Sequence, residues 1–159
     1  LLANDPHYAA RAQRITELTK DLSEILPAFQ QELAKKVQIK KRVAYHPPCT
    51  LQHGQQIRGK VEEVLRAVGV DVTMCADSHL CCGSAGTYSI LQADLSKQLK
   101  KQKLENLQSA VQKHQADRIV SANIGCITHL QNKDTAVEHW IELIDSIMEQ
   151  NGGYDLHSR

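Results

Sequence analysis

Short β-branched runs alternate with helix-patterned segments along this chain. That alternation limits the fold more than any other feature. Residues 42–46 ("RVAYH"), 70–75 ("VDVTMC"), 117–122 ("DRIVSA") and 136–140 ("AVEHW") read as strands. Between them lie segments of helical period. Residues 58–68 place Val61, Val64, Leu65 and Val68 on one face, and Gly69 stands where a helix C-cap belongs. Residues 87 to about 113 predict a long helix, broken near 100, where the leucine spacing slips from four to five (Leu91, Leu95, Leu99, Leu104). A short helix starts near Cys126, and residues 141–150 predict a closing helix. Ahead of the first strand, residues 6–35 read as helical. Ile15, Leu18, Leu22, Ile25 and Leu26 recur there at helical spacing, Asp5-Pro6 forms a start signal, and Pro27 kinks or ends the helix. The pattern predicts an α/β fold, a mostly parallel sheet of about four strands flanked by helices. The organisation that follows is an N-terminal helical segment over 1–40 packing on the domain, an α/β domain over 41–150, and a loose tail over 151–159.

Composition narrows the function classes. The chain has one Trp and one Phe, so its core must be built from Leu, Ile, Val and Ala. A formal net charge of +1 gives no reason to expect nucleic acid or an anionic membrane surface as main partner. No apolar run approaches the roughly 18 residues of a membrane span, and no segment reads as a signal peptide. The expected location is the cytoplasm, with at most peripheral association at the inner face of the cell membrane. The opening "LLANDP", without Met, reads as the interior of a longer protein.

Five cysteines stand at 49, 75, 81, 82 and 126. An odd count containing a vicinal pair is a poor disulfide framework, and adjacent cysteines strain the peptide between them if bonded. In a reducing compartment clustered thiols bind metal or do redox work. Cys75 lies in the apolar run "VDVTMC" and reads as a small packing residue. The other four fall beyond predicted strand ends. Cys49 is in "HPPCTLQHG", Cys81 and Cys82 are in "HLCCGSAGTYS", and Cys126 is in "NIGCITH". In a parallel α/β sheet all these loops emerge at the carboxyl edge, where such folds build their sites. Four thiolates from three loops can therefore converge there. They fit a tetrahedral zinc site and an iron–sulfur cluster alike. Gly83, Gly86 and Gly125 allow backbone to approach such a centre and offer N–H groups to sulfur, and Pro47 and Pro48 stiffen the approach to Cys49.

Other readings of the same residues carry less. His129 follows Cys126 by three residues and can share its helix face. It is a candidate ligand, or else a polar helix residue bonded to backbone or water. His46, His53 and His79 flank the cysteines and read first as hydrogen-bonding or surface groups, with direct ligation the lesser alternative. His139 and Trp140 close the fourth strand and read as packing. A Cys–His nucleophilic dyad would use one thiol and leave three unexplained. The "GSAG" turn before a helix lacks the lysine and the length of a P-loop.

The three phrases "HPPCTLQHG", "CCGSAGTYS" and "NIGCITHL", in this order, with "LLANDPHYA" ahead and "HWIELID" behind, resemble the cysteine-rich CCG domains of heterodisulfide-reductase-type proteins. Within them the likeness is to the second CCG repeat of glycolate-oxidase-type iron–sulfur subunits, and it covers residues 1–150. The resemblance implies an iron–sulfur cluster, of the 4Fe–4S type, with zinc as the alternative, held by Cys49, Cys81, Cys82 and Cys126. It implies electron transfer from flavin-containing subunits that oxidise glycolate to glyoxylate, onward to a membrane acceptor. The partners would be those flavin subunits and the remainder of the chain's own iron–sulfur subunit, so the domain alone is not a complete enzyme. The zinc alternative makes it a structural docking module of the same complex. One departure stands out. The family pattern ends in CxxC, and here it reads Cys126-Ile-Thr-His129, so His129 takes the last position as ligand or the site has one ligand fewer.

Overall fold

The alternation of side chains along β1 (Arg42–His46) sets up the whole molecule. Val43 and Tyr45 face one side of the sheet, Ala44 and His46 the other, and all four are buried. A strand buried on both faces must sit inside the sheet. In the computed structural model, which describes residues 1–37 and 40–151, the order is β2-β1-β3-β4 and every pairing is parallel. The partners are β2 (Asp71–Met74), β3 (Arg118–Ser121) and β4 (Val137–His139). Strand order reverses direction between β1 and β3. That is the switch point where two successive connections leave in opposite directions and open a crevice at the carboxyl edge.

Each face carries its own core. On one, Val43, Tyr45, Val72 and Val120 pack against α4 (Lys60–Ala67) and α8 (Trp140–Gln150), which contribute Val61, Val64, Leu65, Trp140, Leu143, Ile144 and Ile147. Fully burying each such aliphatic side chain contributes roughly 1.5–3 kcal/mol. On the other, Ala44 and Ile119 pack against Leu107 and Ala110 of α6 (Ala93–His114) and against Ile127 and Leu130 of α7 (Ile124–Leu130). Three cysteines, Cys75, Cys82 and Cys126, belong to this second core.

The α/β architecture and the parallel four-stranded sheet agree with the sequence pattern. Several boundaries differ. The N-terminal segment is α1 (Ala9–Leu18), α2 (Leu22–Ile25), a 3₁₀ turn at Leu26–Phe29 around Pro27, and α3 (Gln30–Lys36). The break at Thr19–Asp21 comes from a capping box. The Asp21 carboxylate accepts from Ser23 N–H, and Glu24 accepts from the Asp21 N–H. Leu26, Leu33 and Val37 pack on the first core, whereas α1 buries no residue.

The long helix does not break near 100. It breaks at Gln92, between α5 (Tyr88–Leu91) and α6, and runs on through 100. The leucine count misled because the buried stripe is Ser96, Lys103, Leu107 and Ala110, while Leu95 is exposed. β2 ends at Met74, one residue short of Cys75, and Trp140 opens α8 instead of closing β4. His139 caps that helix, its Nδ1 accepting from Ile141 N–H at 3.3 Å. The expected tail lies outside the described residues beyond 151.

Candidate metal centre

Register places the first site residues. His46 pairs with Ser121 across β1 and β3, at the carboxyl edge of the switch point. Cys49 follows β1 by three residues and is half-buried. A five-residue π turn (Thr50–Gly54) continues from it. Gln52 Nε2 ties that turn to the Pro47 and Ser78 carbonyls at 3.0 Å each, and Asn123 Nδ2 reaches Thr50 Oγ1 at 3.4 Å. The loops after β1, β2 and β3 are thus fastened to one another. His53 and His79 are exposed; the His53 ring lies 3.2 Å from the His79 carbonyl.

The CCG triplet has a steric explanation. Gly83 takes φ +91°, and a Cβ there would stand 2.6 Å from the Ser96 carbonyl oxygen. No side chain fits such an approach, so the third residue must be glycine. The loop is then held by Ser96 Oγ donating to the Gly83 carbonyl at 2.9 Å. Gly83 N–H points back to Cys81 Sγ at 3.3 Å, a donor that stabilises negative sulfur.

The four predicted cysteines gather at this edge as two pairs. Cys49 and Cys81 are an outer pair, with Sγ atoms 3.8 Å apart and both half-exposed. Cys82 and Cys126 are an inner pair, 1% and 5% exposed. Their charges act across the pairs: Cys126 feels Cys82, Cys49 and Cys81, and Cys49 feels Cys81 and Cys82. The inner thiols shift each other in opposite senses. The Cys126 thiol, then the Ser84 and Cys82 N–H groups, hold Cys82 below the ordinary thiol range against the effect of burial. The Cys82 thiol, then burial, raises Cys126. Burial, then the neighbouring Cys81, raises Cys49. Cys75 stands apart. Burial raises it, and the charged groups acting on it are Lys103 and Asp77 rather than another thiol.

Two further groups stand on this face: His46, which the sequence reading ranked as a hydrogen-bonding group ahead of a ligand, and Lys103, which it missed. His46 is 1% exposed, and its ligand atom lies within 4.8 Å of those of Cys82 and Cys126. Ser121 Oγ donates to the His46 carbonyl at 2.9 Å and lies 3.1 Å from His46 Nδ1. With its hydroxyl proton so used, Ser121 can only accept from the ring. Nδ1 therefore carries the hydrogen, and Nε2 holds a lone pair. Burial, then the charge of Lys103, lowers His46 to about 4, so the ring is neutral near pH 7. Among the described residues Nε2 is the one buried side-chain polar atom without a hydrogen-bond partner. Leaving it so costs about 1–3 kcal/mol. The signal was available: His46 alternates with Val43 and Tyr45 onto the cysteine face of a strand end.

Lys103 is the second group, 2% exposed in mid-α6. Its Nζ donates to the carbonyl of Asp77 at 2.6 Å, pinning a residue at φ 49°, and Asn106 Nδ2 donates to the next carbonyl back, of Ala76, at 3.2 Å. The charge of Lys103 acts on His46 and on Cys75. His129 lies at the rim, half-buried, its Nε2 3.5 Å from Ser96 Oγ. The compact group of His, Cys and carboxylate atoms found among the described residues includes His46 and not His129.

A cleft of about 580 Å³ opens between α6 and the starts of β3 and β4, bordered by Gln108, Asp117, Arg118 and Glu138. It lies at the opposite edge of the sheet and contains no cysteine.

A parallel α/β sheet whose switch point gathers four thiols and a buried imidazole defines a cysteine-clustered α/β domain. The chain belongs to the CCG family of cysteine-rich domains, whose family model matches residues 43–131. It is similar to the glycolate oxidase iron-sulfur subunit of Escherichia coli K12, 44% identical over 94% of this chain and 36% of that protein. It is also similar to lactate utilization protein A of Bacillus licheniformis (26% identical, 92% of this chain, 63% of that protein). The probable glycolate oxidase iron-sulfur subunit of Bacillus subtilis is 28% identical over 82% of this chain and 29% of that protein. The chain thus spans between about a third and two thirds of the length of these relatives. No helix of the described residues is long and apolar enough to cross a membrane.

Proposed function

We propose that this domain holds an iron–sulfur cluster, of the 4Fe–4S type, on Cys49, Cys81, Cys82 and Cys126, and serves as an electron-transfer module of a glycolate-oxidase-type assembly. The observation that carries the reading is the meeting of four thiols from three separate strand-end loops, with no disulfide among them. The donor set suits the group: soft sulfur ligands, two of them buried, and a glycine backbone whose N–H donates to sulfur. When bound, such a cluster accepts and releases single electrons. The chain's own groups set its environment through the Gly83 N–H, the charge of Lys103 and the burial of the inner pair. His129 stands where the family pattern carries a final cysteine. On this reading it bonds at the rim beside Ser96.

The likeness to glycolate oxidase iron-sulfur subunits makes flavin-containing subunits that oxidise glycolate the electron source. The remainder of its own iron–sulfur subunit is the contiguous partner. Delivery is toward a membrane acceptor, from a cytoplasmic position with peripheral contact at the inner face. Exposed Ile90, Leu91 and Ile124 near the cysteine loops suit contact with neighbouring protein.

A second reading follows from the inner group. Cys82, Cys126, His46 and one rim thiol make a four-donor set that zinc also accepts, and the domain would then be a structural docking module. Anaerobic purification separates the two. Brown protein with visible charge-transfer absorption, and with iron and acid-labile sulfide in the chain, is expected. Colourless protein with stoichiometric zinc and no sulfide would replace the first reading by the second.

A further inference from the structure

We infer that His46 is a metal ligand of this centre, binding through Nε2, so that the donor set is four cysteines and one histidine. The inference rests on the metal-centre reading above and adds to it the identity of the nitrogen. The geometry points there in three independent ways. First, His46 brings a ring nitrogen within 4.8 Å of the inner sulfurs, so the imidazole and both thiols stand close enough to share one metal. Second, Nε2 is wholly buried yet has no hydrogen-bond partner. Buried acceptors in native proteins are almost always paired, and an exception asks for an ion. Third, the ring is set for ligation. Ser121 fixes the hydrogen on Nδ1 and orients the imidazole, the arrangement by which metal-bound histidines are held through their far nitrogen.

His129 is the competing nitrogen, and the structure disfavours it on the same criteria. Its ring is only half-buried, its Nε2 lies near a hydroxyl, and it stands outside the compact donor group. Binding at His46 requires no proton to leave the imidazole, because Nε2 already holds its lone pair. The thiols release theirs to solvent as the metal enters.

The test is metal-edge X-ray absorption on the anaerobically purified and reconstituted full chain, with metal content measured for each sample. The variants are His46→Gln, His46→Cys, His129→Gln and Cys82→Ser. The wild type is expected to show a sulfur shell plus one light-atom scatterer with the outer-shell pattern of imidazole. His129→Gln should keep that pattern. His46→Gln should lose it and bind metal at least tenfold more weakly, and His46→Cys should recover occupancy with sulfur in place of nitrogen. A metal-loaded wild type without imidazole scattering overturns the inference and leaves the cysteine reading intact. So does its disappearance in His129→Gln, a result that does not depend on the His46 variants folding. Full occupancy in Cys82→Ser, or a wild type that takes up no metal, overturns the cysteine reading itself and the inference with it.

Discussion

The inner and outer thiol pairs reach the same edge of the sheet and differ in almost every property that governs ligation. Cys82 and Cys126 are buried in the second core, perturb each other's titration, and adjoin the His46 imidazole, on which the buried Lys103 acts. Cys49 and Cys81 lie at the rim, only partly buried, and Gly83 N–H donates to the Cys81 sulfur. The inner pair belongs to the hydrophobic core as well as to the site. The outer pair belongs to loops. The contrast explains the vicinal cysteines: Cys81 completes the rim and Cys82 the interior, so two adjacent residues serve both halves of one centre. It also teaches which half should dominate affinity. A buried metal–thiolate bond gains from low dielectric and cannot be replaced by water, whereas a rim ligand can be.

The sharpest way to break the comparison is serine replacement at each position after anaerobic reconstitution. Cys82→Ser and Cys126→Ser should bring metal content close to zero. Cys49→Ser and Cys81→Ser should retain a measurable fraction with an altered spectrum. Because metal binding stabilises the fold, loss of melting temperature in the metal-loaded protein should rank the same way. Equal losses at all four positions would mean that the rim thiols are as indispensable as the buried ones.

Lys103→Met probes the electrostatic half of the contrast. Removing a buried positive charge makes an added electron less favourable. For an iron–sulfur centre the midpoint potential should fall by roughly 50 mV, equivalent to about 1 kcal/mol for one electron. Electrochemical titration of the reconstituted variant measures it. An unchanged potential would confine Lys103 to its structural bond with the Asp77 carbonyl.

The smallest effect is expected at Cys75. It is buried like the inner pair, yet no thiol acts on its titration. Cys75→Ala should cost about 1 kcal/mol in packing and leave metal content unchanged, read by denaturant unfolding and metal analysis. Emptying of the site in this variant would place Cys75 among the ligands and undo the division drawn here.

Much of this was legible in the residues. The strands at 42–46, 70–75, 117–122 and 136–140 were recognisable because β-branched runs alternate with helix-period segments, and each lies within a residue or two of its observed limits. The four thiols could be assigned to one edge because parallel strands send all their carboxyl-end loops to the same side. The helix break at Gln92 was hidden. Hydrophobicity marked the leucines of α6, while the buried stripe runs through Ser96 and Lys103, polar residues that are inside because their partners are carbonyls of the cysteine-side loops.

Local sequence determined the kind of protein: an α/β sheet, a CCG turn and thiols placed beyond strand ends. These rest on side-chain period and backbone preference, which are properties of neighbouring residues. The pairing of those thiols into an inner and an outer set, the burial of Lys103, and the tautomer of His46 were decided only in the tertiary structure. Each depends on an atom brought in from 26 to 75 residues away: the Asp77 carbonyl over Lys103, Cys81 beside Cys49 across 32 residues, and Ser121 against His46. No pattern within a single segment records which distant group will be waiting at a strand end.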